Sequence, residues 1–239
     1  MAIVPFRASA ERWRAAFRTL GPDLPIDFLI AWLDKESGGN PCSTGIPGVE
    51  AGIFQTFHPA DDRFGATFAQ LRQGCSGQTV VDPSQVDFDL QARHGINFVR
   101  SKAATAQAHL SAAGVSWSRS SSDFWKGVKM EHALPCVMGD LLPRVARKFG
   151  PPRDWDTFKR QALSLDPSEM GTGCANFARS PSVRGLRNRL EDTMFNAEEV
   201  GKFGGGVLGA VGKLGILGPI LLLGVAATFY AVYVRRQDV

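Results

Sequence analysis

The chain has 239 residues and a formal net charge of +4, from 27 lysines and arginines against 23 aspartates and glutamates. Residues 201–239 contribute +3 of this charge, so the rest of the chain is almost neutral. A nucleic-acid-binding domain needs basic side chains clustered on its folded face, and we therefore expect no nucleic acid as a partner. The apolar fraction of 44% is ordinary for a globular protein. The length suits one medium domain with an appendage, or two small domains.

The predicted elements, taken in chain order, are mostly helices. The first is predicted over 11–20, because Trp13 and Phe17 fall on one face at helical spacing. Pro25 opens the second helix, which ends at Gly38-Gly39. Further helices are predicted over residues 85–113, 123–131, 139–148 and 154–165. Alternation of β-branched residues is scarce, so any sheet should be small and the fold class is mainly α.

The cysteines allow two disulfides. They stand at widely spaced positions: Cys42, Cys75, Cys136 and Cys174. None belongs to a Cys-x-x-Cys pair and no histidine has zinc-finger spacing, so we expect no metal site. Of the possible pairings we favour Cys42–Cys75 with Cys136–Cys174, because each closes a local loop. Reduced, partly buried thiols are the open alternative.

The C-terminal tail contains a long apolar run. Residues 214–234 carry no charge over 21 residues. At ~1.5 Å per residue, a helix of this length crosses a ~30 Å hydrocarbon core. We therefore predict one C-terminal transmembrane helix that inserts into a lipid membrane. Arg235 and Arg236 follow directly, which indicates a single-pass protein with a cytoplasmic C-terminus and a folded domain on the periplasmic or wall-facing side.

Glycines at four-residue spacing precede this run: Gly201, Gly205 and Gly209. On a helix they would form a smooth stripe that packs closely against a partner helix, and a flexible linker is the alternative. The predicted organisation is then a sequence of four segments. They are an N-terminal helix (1–20), a helical domain (21–165), a connecting segment (166–200) and the glycine-rich segment with its anchor (201–239).

The candidate chemistry lies between residues 31 and 59, which read AWLDKESGGNPCSTGIPGVEAGIFQTFHP. The predicted second helix carries Glu36 in its last turn, and a glycine-rich turn leads from it to Phe54 and Gln55. Trp32 and Phe54 are candidate apolar walls around this carboxyl group. Burial there would raise the pKa of Glu36, so that it stays protonated near neutral pH and acts as a general acid.

Here the sequence resembles the soluble lytic transglycosylases and goose-type lysozymes. Their first signature, a helix that ends in Glu-Ser before a Gly-x-x-Asn-Pro-like turn, is matched by ESGGNP at 36–41. Their second, a Gly-Leu-Met-Gln-like run, is matched by GIFQ at 52–55, and a third region is loosely echoed at 89–98. The resemblance covers roughly residues 21–150 and implies that the 21–165 segment is a lysozyme-like catalytic domain.

The resemblance implies cleavage of the bond between N-acetylmuramic acid and N-acetylglucosamine in peptidoglycan, with Glu36 as the catalytic acid. The resulting carboxylate would accept the proton of the sugar's own 6-hydroxyl, giving a 1,6-anhydro product without any cofactor. Ser37 would help orient the substrate or the acid, Gln55 would line the cleft, and Phe54 would be a further substrate contact. Two alternatives remain open: a hydrolytic muramidase in which Asp61 or Asp62 activates water, and a non-catalytic glycan-binding membrane scaffold.

One family feature has no counterpart in the sequence. The family usually carries an Ala-Tyr-Asn-like motif whose tyrosine approaches the catalytic glutamate, whereas Tyr230 and Tyr233 both lie in the predicted anchor. The run WKGVKMEHALP at 125–135 stands where this motif is expected, and His132 is the candidate replacement in the substrate site. The departure favours a divergent member. Because the N-terminus lacks a signal-peptide pattern, we expect delivery by a phage virion or a wall-crossing machine.

Overall fold

The computed structural model describes residues 6–170, 174 and 183–205. These residues are mainly helical, as predicted. The α-helices are α1 (Ala8–Glu11), α2 (Arg14–Leu20), α3 (Ile26–Ser37), α4 (Phe68–Leu71), α5 (Phe88–Ala112), α6 (Ser122–Ala133), α7 (Leu142–Phe149), α8 (Trp155–Ser164) and α9 (Val183–Gly201). The strands β1 (Glu50–Ala51) and β2 (Thr56–Phe57) form one antiparallel hairpin, and β3 (Cys75–Ser76) and β4 (Thr79–Val80) form another. A π-helix at Val137–Leu141 leads into α7.

Helix α3 forms the centre of the core. Its residues 28–33 are all buried, so the helix is apolar on every side over this stretch. The Trp32 ring contacts Phe54 and His132, with ring centroids 5.6 Å and 5.3 Å away. Helix α5 packs beside them at Gly95, where a Cβ atom would lie 2.5 Å from the Phe54 ring. Only glycine permits this close approach, and α5 stays helical through it.

Helix α9 extends the folded domain beyond the predicted boundary at residue 165. Four of its side chains are buried at helical spacing: Leu190, Met194, Ala197 and Val200. They join the main hydrophobic core, and α9 packs against α6, α3 and α8. Residues 190–200, predicted as part of a connecting segment, therefore belong to a helix that packs on the core. Sequence analysis missed this helix because the stretch is polar on average, and its buried residues form a single apolar face.

The glycines at the C-terminal end of α9 and just after it pack against a helix of the same chain. A Cβ atom on Gly201 would lie 2.6 Å from the backbone nitrogen of Lys126, and one on Gly205 would lie 3.0 Å from that of Ser122. These two glycines thus permit close packing on α6, instead of on a partner helix as predicted. Gly209, the third glycine of the predicted stripe, lies outside the described residues.

The predicted localisation as a single-pass membrane protein needs correction. Over residues 6–170, 174 and 183–205, no helix combines the length and the apolar character that crossing a membrane requires. The segment 214–234, on which the prediction was based, lies outside the described residues.

Both favoured disulfides are formed, Cys42–Cys75 and Cys136–Cys174. The first ties the turn after α3 to the β3–β4 hairpin. Asn40 reinforces this link, because its side-chain amide donates to the carbonyl oxygen of Gln78 at 2.8 Å. The turn that follows Glu36 is thus fixed from its far side by a covalent bond and a hydrogen bond.

Candidate active site

The site is organised around the C-terminus of α3. Gly38 follows the helix with φ +61, a left-handed conformation that favours glycine. The Ser37 hydroxyl donates to the carbonyl oxygen of Leu33 at 3.0 Å and accepts from the backbone N–H of Gly39 at 3.1 Å. Ser37, predicted to orient the substrate or the acid, therefore uses its hydroxyl to end the helix that carries Glu36. This stop leaves Glu36 in the last turn, as the sequence predicted.

Gln55 joins the β1–β2 hairpin to this helix end through hydrogen bonds. Its side-chain amide donates to the backbone carbonyl oxygen of Glu36 at 2.7 Å and to the hydroxyl of Ser43 at 2.8 Å. Its backbone has φ +49, a left-handed conformation that costs a residue other than glycine about 1–3 kcal/mol. Such strain persists where the surrounding contacts enforce it, and here these two hydrogen bonds fix the side chain. The Gln55 side chain thus positions Glu36 by holding the Glu36 backbone carbonyl group.

Two basic side chains of α6 meet the Glu36 carboxylate. Lys129 forms an ion pair with Oε1 of Glu36, and the Lys129 side chain is only 3% exposed. His132 follows three residues later, on the same face of α6. Its Nε2 lies 3.6 Å from the same carboxylate oxygen. The Glu36 side chain is 19% exposed, so it is largely but not fully buried.

The ionisation of Glu36 is the reverse of the prediction. Burial raises the pKa of this carboxyl group, but attraction to Lys129 and a hydrogen bond with His132 outweigh burial and hold the pKa at about 2. The predicted protonated acid is therefore wrong, and Glu36 is a carboxylate near neutral pH. Burial also lowers the pKa of His132, against the opposing effect of its hydrogen bond with Glu36.

Phe54, predicted as a substrate-contacting wall, lies in the hydrophobic core. Its side chain is 1% exposed. It lies between the rings of Phe17 and Trp32, with centroids 6.0 Å and 5.6 Å away. Phe54 therefore supports the site from behind and is closed to a ligand. His132 is partly exposed and lies beside Glu36.

Asp61 and Asp62, the candidate carboxylates for hydrolysis, make local contacts, as does Glu50 of β1. Asp61 accepts from the backbone N–H of Phe57 at 2.7 Å, and Asp62 contacts Nδ1 of His58 at 2.5 Å. Glu50 accepts from the backbone N–H of Ile46 at 3.0 Å. Each carboxylate is committed to a local partner, and none of these contacts involves Glu36. In the described part of the chain, no three side chains of His, Cys, Asp or Glu converge as metal ligands would.

A buried polar network attaches the same hairpin to α5. The Thr56 hydroxyl lies 3.0 Å from Nε2 of His58 and 2.9 Å from Nε2 of His94. The Nδ1 atom of His94 is buried and has no hydrogen-bond partner among the described residues. Burial lowers the pKa of His94 to about 4, and the nearby His58 adds to this effect. His94 is therefore neutral at pH 7 and supports the hairpin that carries Gln55.

Lys129 is the residue beside Glu36 that sequence reasoning missed. The run at 125–135 was singled out for His132, yet the same run places Lys129 one helical turn earlier. Residues three apart on a helix share a face, so a histidine pointing at Glu36 implies that Lys129 points there as well. That spacing was the available signal.

Comparison with known proteins adds no assignment. No protein-family model, curated protein or solved structure matches this chain.

Proposed function

We propose that this protein is a peptidoglycan lytic transglycosylase whose lysozyme-like helical domain presents Glu36 to the glycan strand. The observation that supports this best is a largely buried carboxylate at the end of a central helix, held by Gln55 through its backbone. The bond cleaved is that between N-acetylmuramic acid and N-acetylglucosamine. One carboxylate suffices, because the nucleophile is the sugar's own 6-hydroxyl.

The surrounding residues divide into two roles. Gln55 and Ser37 position the end of α3, since their side-chain hydrogen bonds are made within the protein. Lys129 and His132 place basic groups beside the carboxylate and determine its ionisation. The ionised form of Glu36 suits the second half of the reaction, in which a base accepts the proton of the 6-hydroxyl.

A second candidate function is glycan binding without cleavage. The ionised state of Glu36 favours it, because a carboxyl group with a pKa of about 2 carries almost no proton at neutral pH. Hydrolysis through an aspartate-activated water has no such support, since Asp61 and Asp62 are engaged within the hairpin.

The experiment is mass spectrometry of the muropeptides that the full chain releases from purified peptidoglycan. Anhydro products are expected from the wild type and from Glu191→Gln, a matched change of an exposed glutamate on α9. Glu36→Gln should release none. Reducing-end products would replace the transglycosylase with a hydrolase. If all three proteins bind peptidoglycan in a pull-down and none releases products, the glycan-binding function is the correct one.

A further inference from the structure

The turn after Glu36 lies beneath the N-terminal segment, residues Arg7–Trp13. Gly38 and Gly39 of this turn are both buried. A Cβ atom on Gly39 would lie 2.6 Å from the backbone nitrogen of Ala10, so only glycine permits this close approach. Carbonyl groups at the end of a helix have no partner within the helix, and where they are buried they need donors from the rest of the protein.

Three side chains of the N-terminal segment supply those donors. The Ser9 hydroxyl donates to the carbonyl oxygen of Gly38. The Arg12 guanidinium and the Trp13 indole both donate to the carbonyl oxygen of Gly39, at 2.8 Å and 3.0 Å. Within the described residues, none of these three side chains forms a hydrogen bond elsewhere. All three therefore act on the same turn.

The two donors to Gly39 are themselves held in place by packing. Trp13 is only 2% exposed, and its ring lies 5.3 Å from that of Phe88 at the start of α5. The Arg12 guanidinium lies 5.7 Å from the Trp13 ring and 5.3 Å from the Phe88 ring, where cation–π attraction favours it. Both donors thus hold the Gly39 carbonyl oxygen from a fixed position.

Gly39 connects these donors to Glu36. Its backbone N–H donates to the Ser37 hydroxyl, which donates in turn to the carbonyl oxygen of Leu33 in α3. On the other side, Gln55 holds the backbone carbonyl group of Glu36. The last turn of α3 is therefore held from two sides, by the β1–β2 hairpin and by the N-terminal segment.

From this geometry we propose that Ser9, Arg12 and Trp13 are positioning residues of the active site, which hold the turn after Glu36 and thereby place its carboxylate against the glycan. This inference rests on the proposed transglycosylase function. The N-terminal segment precedes residue 21, where the resemblance to lysozyme-like enzymes begins, so the resemblance does not imply this role. A displacement of about 1 Å at a reacting group can cost about 100-fold in rate, so a loosened turn should lower kcat more than it changes KM.

The first test compares full-length Trp13→Phe and Trp117→Phe with the wild type, in kcat and KM for anhydro-product formation from soluble, uncrosslinked glycan strands. Trp117 is a matched control, because its buried indole donates to the carbonyl oxygen of Pro152 at 3.2 Å and its ring packs beside Trp155 and Phe158 of α8. Each change keeps an aromatic ring and removes one donor. Trp13→Phe should lower kcat about tenfold with KM within about twofold, whereas Trp117→Phe should leave both within about twofold.

Ser9 provides a second test that leaves the core intact, because this residue is exposed on α1. Ser9→Ala removes the hydroxyl donor and should lower kcat about threefold or more, with almost no change in melting temperature. Ser9→Thr retains a hydroxyl and should keep the wild-type kcat. If Trp13→Phe does not fold, the two Ser9 variants decide.

Hydrogen exchange at the Gly39 amide reports on the same turn without turnover. It should be faster in Trp13→Phe and Ser9→Ala than in the wild type, and unchanged in Trp117→Phe. Wild-type kcat in both Trp13→Phe and Ser9→Ala would overturn the inference, as would equal losses of kcat in Trp13→Phe and Trp117→Phe. Failure of the proposed function is seen differently, as a wild type that releases no product although Gly39 exchange still responds to the variants.

Discussion

His94 should make the stability of this protein fall in mildly acidic solution. Its pKa is lowered from 6.5 to about 4, first by burial and then by the nearby His58. As the pH falls below 6.5, His94 becomes protonated in the unfolded chain but stays neutral in the folded chain. The free energy of unfolding therefore decreases until about pH 4, where His94 of the folded chain is protonated as well. At about 1.4 kcal/mol for each pH unit between the two pKa values, the loss amounts to about 3 kcal/mol.

The assay is urea unfolding of the wild type and His94→Gln at several pH values from 4 to 8. Glutamine keeps a side-chain donor near the Thr56 hydroxyl and does not titrate, so the wild type should lose about 3 kcal/mol more than the variant over this range. His109→Gln, which alters an imidazole that faces Glu131, should leave that difference in place. Parallel pH profiles of the wild type and His94→Gln would refute the reasoning, because they would mean that His94 titrates equally in both states.

Three further predictions concern packing and positioning. Met194→Ala on α9 should lower the free energy of unfolding by about 2–5 kcal/mol, because Met194 is buried. Phe195→Ala, at the exposed neighbouring residue, should change it by less than about 0.5 kcal/mol. Equal urea midpoints for the two variants would mean that α9 does not pack as described. Gln55→Ala should lower both stability and glycan cleavage. Gln55→Gly should recover part of the stability but not the cleavage, because glycine relieves the strained φ without restoring the hydrogen bond to the Glu36 backbone. Removal of the Cys42–Cys75 disulfide in a Cys42→Ser, Cys75→Ser double variant should lower the free energy of unfolding by about 3–4 kcal/mol, because the unfolded chain loses a loop closure. An unchanged melting temperature would contradict the stabilisation of this turn by the disulfide.

The local sequence determined the place of Glu36. The order Glu-Ser-Gly-Gly ends a helix by itself, because the serine hydroxyl accepts from the backbone N–H of Gly39 and Gly38 adopts the left-handed conformation. The apolar periodicity of α3 and α5 likewise predicted these helices, since each is longer than ten residues and follows a helical pattern. The sequence left three disulfide pairings and reduced thiols open, and the pairing that closes the smallest loops is the one formed.

Only the tertiary structure decided the chemical state of that glutamate. Lys129 is 93 positions away along the chain. Burial and this cation act on the pKa of Glu36 in opposite directions, so its value depends on a contact that no local pattern contains. The burial of Phe54 and the packing of α9 also depend on long-range contacts, so the local sequence did not predict them. Periodicity indicates which face of an element is covered, but which other element covers it is settled by long-range packing of the whole core.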